Sequence, residues 1–493
     1  MLFCCAGDPG RFDVQMAKAP DSHIVWKRGE SMPIHAAFIV PHPPLIIPEI
    51  GRGEEKKIRN TIDSYERVGQ RIAAIKPQTI IVISPHSIMY GDYIHISPGP
   101  DGRGDMGRFH AENIEIKKKY DSSFISSLCE AVKRNGISAG SSGEKDPAID
   151  HGVLVPLYYV EKYYTDYELV RISISGLSLL EHYRFGECIA QTVELLNRST
   201  VIIASGDLSH KLGKGSPYGF AEEGPVFDRQ VTKAMAAGNF MDFLTFEESF
   251  TEAAAECGLK SFIEMAGALD GQKVMPDFLS YEGPFGVGYA VCAYKPDGPD
   301  ETRHFGDRLE MQQQQQKTQA LRVTEDSYTR LAHESLETYL KTGLRLIRPD
   351  GLPHELLHKK AGVFVSLKKN GQLRGCIGTI SPIESCVADE IIRNAVSSGT
   401  QDPRFPAVTE EELHSLTYSV DVLSEPEPIT GIDQLDVKRY GVIVNSGMRH
   451  GLLLPNLDGV DTPSRQVDIA LQKAGISSKE PYSMERFEVV RHQ

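Results

Sequence analysis

The sequence predicts an α/β protein, with an N-terminal three-layer sandwich around a mostly parallel sheet and a smaller α+β domain after it. Three observations predict it. Short runs rich in isoleucine, valine and alanine recur at 35–40, 79–84, 169–174 and 200–204. Amphipathic stretches of helical length stand between them, and parallel strands need such crossovers. The chain has 493 residues, more than one core usually serves, and the alternation stops near residue 295.

Taken in order, residues 1–31 show neither apolar periodicity nor the basic, apolar and small order of a signal peptide. Lys27-Arg28-Gly29-Glu30 can be encoded by purine-rich codons resembling a ribosome-binding site. The expected natural start is therefore Met32, with 1–31 a translated leader or a disordered tail. The first domain is expected over 32–297, with helices at 56–75 and 183–198. In the second helix Phe185, Ile189, Val193 and Leu196 recur at helical spacing. TEAAAECGLKSF, 251–262, begins like a helix, and GPFGVGYA, 283–290, reads with VCAY as a closing strand. Residues 298–322 are polar, include five consecutive glutamines and read as a linker. The second domain, 323–493, opens on the helix SYTRLAHESLETYLK, with strands at 362–368, 416–423 and 441–446 and a helix near 383–396.

Composition narrows the function. A formal net charge of −14 argues against a general nucleic-acid binder, which needs a basic face. No apolar run approaches the ~20 residues that cross a bilayer, so no membrane segment is expected. Eight cysteines without a CxxC pair or zinc-ribbon spacing suggest reduced thiols in a cytoplasmic protein.

The chemistry-bearing residues stand where strands end. His42 closes HAAFIVPH and His86 closes IIVISPH, each beside a proline. The carboxyl ends of parallel strands open onto the crevice where ligands bind, and neutral imidazole is the commonest nitrogen ligand of metals. A third strand runs through VIIASGDLSH into Asp207 and His210, and His151 follows Asp150 in AIDHGVLVPLYY. Asp150 or Asp207 can accept a proton from a histidine and fix its tautomer, and Asp207 reads equally well as a turn acid or helix cap. Glu256 lies among small residues, with Cys257 next to it. His35 and His95 read as strand histidines, and His110 is unassigned.

Joined in this order, strand-His-Pro, strand-Pro-His, DHGxxVPL, SGDLSH and AECG resemble the class III, LigB-type extradiol ring-cleaving dioxygenases, over about 32–295. The Memo proteins are distant relatives with that fold. The resemblance implies that His42, His86 and Glu256 hold Fe(II), with Zn, Mn or Cu as alternatives. It implies that His210 and His151 act as second-sphere catalytic acid and base. The implied substrates are O2 and a small catechol-like aromatic molecule. Memo-type relatives place a cysteine where the dioxygenases have the carboxylate, so Cys257 is the alternative ligand. Two other readings follow: a metal-binding interaction protein without ring cleavage, and a metal-dependent hydrolase on the same scaffold.

In the second domain GQLRGCIGTI, DPRFPAVTEEEL and RHGLLLPNLDGVDTP resemble the AMMECR family over nearly all of 323–492. Genomes often pair that domain with a Memo-like protein and a radical SAM protein, which implies a shared pathway and a partner. Cys376 is a candidate nucleophile, with Arg374 to lower its pKa and His450 as base, or else a buried thiol in a glycine-rich turn. Arg404, Arg449 and His450 are candidates for an anion site.

Overall fold

A computed structural model describes residues 33–145, 148–369, 371–457 and 459–493. The expected leader and Met32 lie outside the described residues. The chain divides between Leu309 and Glu310 into two compact units.

The first unit is built on a six-stranded sheet. In chain order its elements include β1 (Ile34–Val40), α1 (Arg59–Ile75), β2 (Thr79–Ser84), α2 (His151–Glu161), β3 (Glu168–Ser173), α3 (Leu179–Leu196), β4 (Thr200–Ser205), α4 (Glu248–Ala254), α5 (Leu259–Gly267), β5 (Gln272–Glu282) and β6 (Tyr289–Pro299). The strand order is β3-β2-β4-β1-β6-β5. The first four are parallel, and β6 joins β1 antiparallel, Ala37 facing Tyr294. Residues of β1, β2 and β4 are buried throughout, as strands covered on both faces must be. Helices pack as pairs against the sheet, α1 with α2 and α3 with α5. His35 and His95 are buried in strands, as expected.

Two expectations are corrected. Gly283–Gly288 is a turn, and the closing strand begins only at Tyr289, because a glycine-rich segment favours a tight connection between β5 and β6. The stretch 251–262 begins in a helix, as expected. It breaks after Ala254, with Ala255 left-handed at φ 52°, and resumes at Leu259. The glutamine-rich segment is helical: α6 spans Phe305–Val323, with Phe305 and Leu309 buried in the first unit's core. Glutamine is a good helix former, so two apolar residues in the first turns suffice to start a helix that needs no stripe beyond them.

The second unit contains α7 (Ser327–Thr342), β7 (Val363–Lys369), β8 (Gln372–Gly378), α8 (Val387–Thr400), β9 (Leu416–Leu423), β10 (Tyr440–Ser446), β11 (Arg449–Leu453), α9 (Pro463–Ala474) and β12 (Ser483–His492). They form an antiparallel sheet in the order β8-β7-β9-β12-β10-β11. Helices α7 and α8 pack together over β7 and β9, and α9 covers β10 and β11. Among the described residues no helix is long and apolar enough to cross a membrane.

Candidate metal centre

The candidate site lies at the carboxyl edge of β2, β4 and β1, three adjacent strands. Each strand is followed by a single residue and then a polar side chain: Pro41-His42 after β1, Pro85-His86 after β2, Gly206-Asp207 after β4. The Tyr65 hydroxyl, reaching from α1, donates to the Pro41 carbonyl and fixes the exit of β1. Asp207 accepts the His42 backbone N–H at 2.8 Å. The two strand ends are thus tied before either histidine side chain is placed.

His42 Nε2 and His86 Nε2 face one another at 2.9 Å. The tautomer of His42 follows from its other nitrogen. Ser205 Oγ gives its single hydrogen to the Gly152 carbonyl at 2.5 Å, so toward His42 Nδ1, 3.0 Å away, it can only accept. Nδ1 therefore carries the proton, and Nε2 presents a lone pair. Cys257 Sγ lies 3.6 Å from the same Nε2. Donor atoms of His42, His86 and Cys257 all fall within 4.8 Å of one another.

Cys257 arrives there through a close backbone contact. A Cβ on Gly206 would stand 2.1 Å from the Gly258 Cα, so both positions exclude any side chain. That approach sets Cys257 beside Asp207: the Asp207 N–H points at Sγ at 3.4 Å. An amide donated to sulfur is the support a thiolate ligand needs. Burial pushes the Cys257 thiol well above its usual range, Asp207 and Glu256 adding to it.

Glu256 turns elsewhere, correcting the expectation that it completes the ligand set. Its Oε2 accepts the Leu259 N–H at 2.7 Å and caps the start of α5. Burial raises its carboxyl to about 7. Sequence order placed the two residues side by side, but the break at Ala255 sends their side chains to different neighbours.

The acids are also redirected. Asp150 accepts from Ser84 Oγ and Ser87 Oγ, both at 2.6 Å, and Asp207 accepts the His42 backbone N–H rather than an imidazole. The tautomers are set instead by Ser205 and by a carbonyl. His210 Nδ1 is 2.8 Å from the Ala255 carbonyl, which the left-handed turn presents, so Nδ1 is the donor and Nε2 is free to accept. Sequence reading missed Ser205, Ser84 and Tyr65, which look like ordinary strand and helix residues.

His151, at the first position of α2, stacks obliquely on His86 with ring centroids 4.1 Å apart and meets Phe109 at 5.5 Å. Tyr218 lies 5.9 Å from His210 and is exposed. Burial lowers all four imidazoles, His151 to about 4 with His86 adding to the effect. They are neutral near pH 7, as ligands and proton acceptors must be. Outside this group, His110 is exposed in a left-handed turn.

The donor set suits a metal. His42 Nε2 turns its lone pair to His86 Nε2 2.9 Å away, a contact that a proton on the His86 ring or a cation shared by the two rings would satisfy. His42, His86 and Cys257 would hold such a cation through two nitrogens and one sulfur, leaving room for further ligands.

Residues 36–292 match the family model described as the catalytic LigB subunit of aromatic ring-opening dioxygenase. The chain belongs to the LigB family. Residues 329–492 match the AMMECR1 family, so an AMMECR1 domain follows the LigB domain in one chain. The same pairing extends to a relative: protein CA_C1420 of Clostridium acetobutylicum is 41% identical over 94% of this chain and 100% of its own length. A Thermotoga maritima protein is 46% identical over 35% of this chain and 99% of its own. The crystal structure of uncharacterised protein PH0010 from Pyrococcus horikoshii, 34% identical, covers 33% of this chain and 88% of that one at a TM-score of 0.32.

In the AMMECR1 unit the expected cysteine–base pair is not assembled. Arg374 gives its guanidinium to Glu412 and to the Pro406 and Ala407 carbonyls. His450 is exposed on β11, across the sheet from β8, and Arg449 pairs with Glu480 and the Gly475 carbonyl. Local sequence spacing carries no information about which strands of an antiparallel sheet become neighbours. Arg404 does reach Cys376, through its carbonyl at 3.2 Å.

Proposed function

We propose that the LigB unit is a mononuclear metal centre held by His42 Nε2, His86 Nε2 and Cys257 Sγ, a Memo-type set. It works as an oxidoreductase on a small dihydroxylated aromatic molecule with O2. The observation that carries the metal reading is the pair of imidazole Nε2 atoms 2.9 Å apart with sulfur beside them. Two imidazoles and a thiolate suit iron, copper or zinc better than manganese, which prefers oxygen. Bound iron or copper would supply one-electron chemistry that lets a singlet substrate react with triplet O2.

The chain's own residues supply proton handling. His210, held by the Ala255 carbonyl, keeps Nε2 free to take a proton from a substrate hydroxyl. His151 is so weakly basic that its cation is a strong acid, suited to returning a proton to a leaving oxygen. Phe109 and Tyr218 offer aromatic surface for a planar ring.

A second reading, a metal-binding interaction protein without turnover, is favoured by the cysteine in place of a carboxylate. Oxygen uptake with catechol by anaerobically iron-loaded protein separates the two. The first reading expects uptake that His210→Ala removes while metal stays bound. Metal bound with no uptake from catechol or protocatechuate would leave the interaction reading standing.

A further inference from the structure

The segment that carries His210 is anchored one residue earlier, at Ser209, which is fully buried and has every polar group engaged by another part of the LigB unit. Its carbonyl accepts the Gly288 N–H at 3.0 Å, just before β6 begins. Its hydroxyl donates to the Ala254 carbonyl at 2.8 Å, at the end of α4, and accepts the Lys211 N–H at 3.0 Å. Its N–H donates to Asp228 Oδ1 at 2.9 Å, on the helix Glu223–Ala237.

Asp228 is itself held in place. It is buried, and its Oδ2 accepts the Tyr281 hydroxyl of β5 at 2.7 Å. A Cβ on Gly288 would collide with that same Oδ2, so the carboxylate occupies the space a side chain there would fill. Donors from two elements fix its two oxygens, and the carboxylate in turn fixes the Leu208–Ser209 peptide.

That peptide decides where the next residue points. His210 donates its backbone N–H, at 3.3 Å, and its Nδ1–H, at 2.8 Å, to one acceptor, the Ala255 carbonyl. Meeting one oxygen twice demands a narrow range of backbone and χ1 angles. Without Asp228 the Ser209 N–H is a buried donor with no acceptor, and the peptide turns to find another. The His210 backbone then leaves the Ala255 oxygen, and the imidazole follows.

We infer that Asp228 is the positioning residue of His210. Acting through Ser209, it holds the imidazole on the Ala255 carbonyl, in the tautomer that leaves Nε2 free to accept a proton. This rests on the proposed role of His210 as proton acceptor. The tautomer is read without turnover, so a chain that consumes no oxygen with catechol still tests the inference.

Nitrogen-15 spectra of the histidine-labelled full chain, with zinc added and near neutral pH, report which ring nitrogen of each imidazole carries the proton. His210→Gln identifies the His210 signals. The parent should show His210 as the Nδ1–H tautomer alone. Asp228→Ala should replace that signature with the mixed signals of a free imidazole, in which Nε2–H predominates. Zinc affinity, read by chelator competition, should stay at the parent value. Asp228→Asn should restore the parent signals, since its amide oxygen still accepts from Ser209 and its NH2 donates to the Tyr281 oxygen. Where Asp228→Ala does not fold, Asp228→Ser is read in its place, its hydroxyl being too short to accept from Ser209. Nδ1–H kept in a folded Asp228→Ala or Asp228→Ser chain, its loss in Asp228→Asn, its absence in the parent, or loss of zinc together with the tautomer would overturn the proposal.

Discussion

At the scale of single residues, the metal centre depends on groups that do not touch the metal. Ser205 fixes the His42 tautomer through one hydrogen given to Gly152. Ser205→Ala should leave the fold intact and weaken metal binding about 10- to 100-fold, the usual cost of losing an orienting partner, read by chelator competition. Cys257 must lose a proton to bind, and its thiol is held protonated by burial. Metal affinity should therefore rise about tenfold per pH unit across neutral pH, with protons released on binding. Glu256 gives a stability test in metal-free protein. Its folded pKa, about 7, is raised, so it stabilises fully below the unfolded value and loses that contribution as pH rises through 7. Glu256→Gln should gain stability relative to the parent from pH 4.5 upward, levelling above pH 7. A pH-independent difference in melting temperature would refute this. The histidines were legible in the sequence because Pro-His ends two apolar runs; the choice between Glu256 and Cys257 was not, because it turns on one backbone dihedral.

At the scale of elements, the break between α4 and α5 decides the site. Ala255 adopts φ 52° without being glycine, which for an L residue costs about 1–2 kcal/mol. Ala255→Gly should therefore raise thermal stability by about 1 kcal/mol, and a lowered melting temperature would show that the turn is held otherwise. Gly206 and Gly258 permit the contact that delivers Cys257. Gly206→Ala should destabilise the LigB unit by more than the ~1–3 kcal/mol of ordinary overpacking and abolish metal binding. The strands of the parallel sheet were readable from their apolar runs. The place of the break was not, since it falls at Ala255, a left-handed position without a glycine, and the Gly206–Gly258 contact forms only in the folded unit.

At the scale of the whole molecule, the two units have separate cores, and among the described residues the His-His-Cys group lies in the LigB unit. Calorimetry should show a transition that metal removal lowers and another that it leaves in place. A single transition shifted as a whole would contradict independent folding. The change of pattern near residue 295 made the two-part organisation visible in sequence. The helical nature of 305–323 was hidden because glutamine-rich composition is compatible with coil and helix alike.

The most direct test of the account is the metal content of anaerobically purified protein with Cys257→Ala and Glu256→Gln alongside the parent. The account predicts about one metal per chain in the parent and in Glu256→Gln, and its loss in Cys257→Ala, as in His42→Ala and His86→Ala. Metal kept without Cys257 and lost in Glu256→Gln would contradict it.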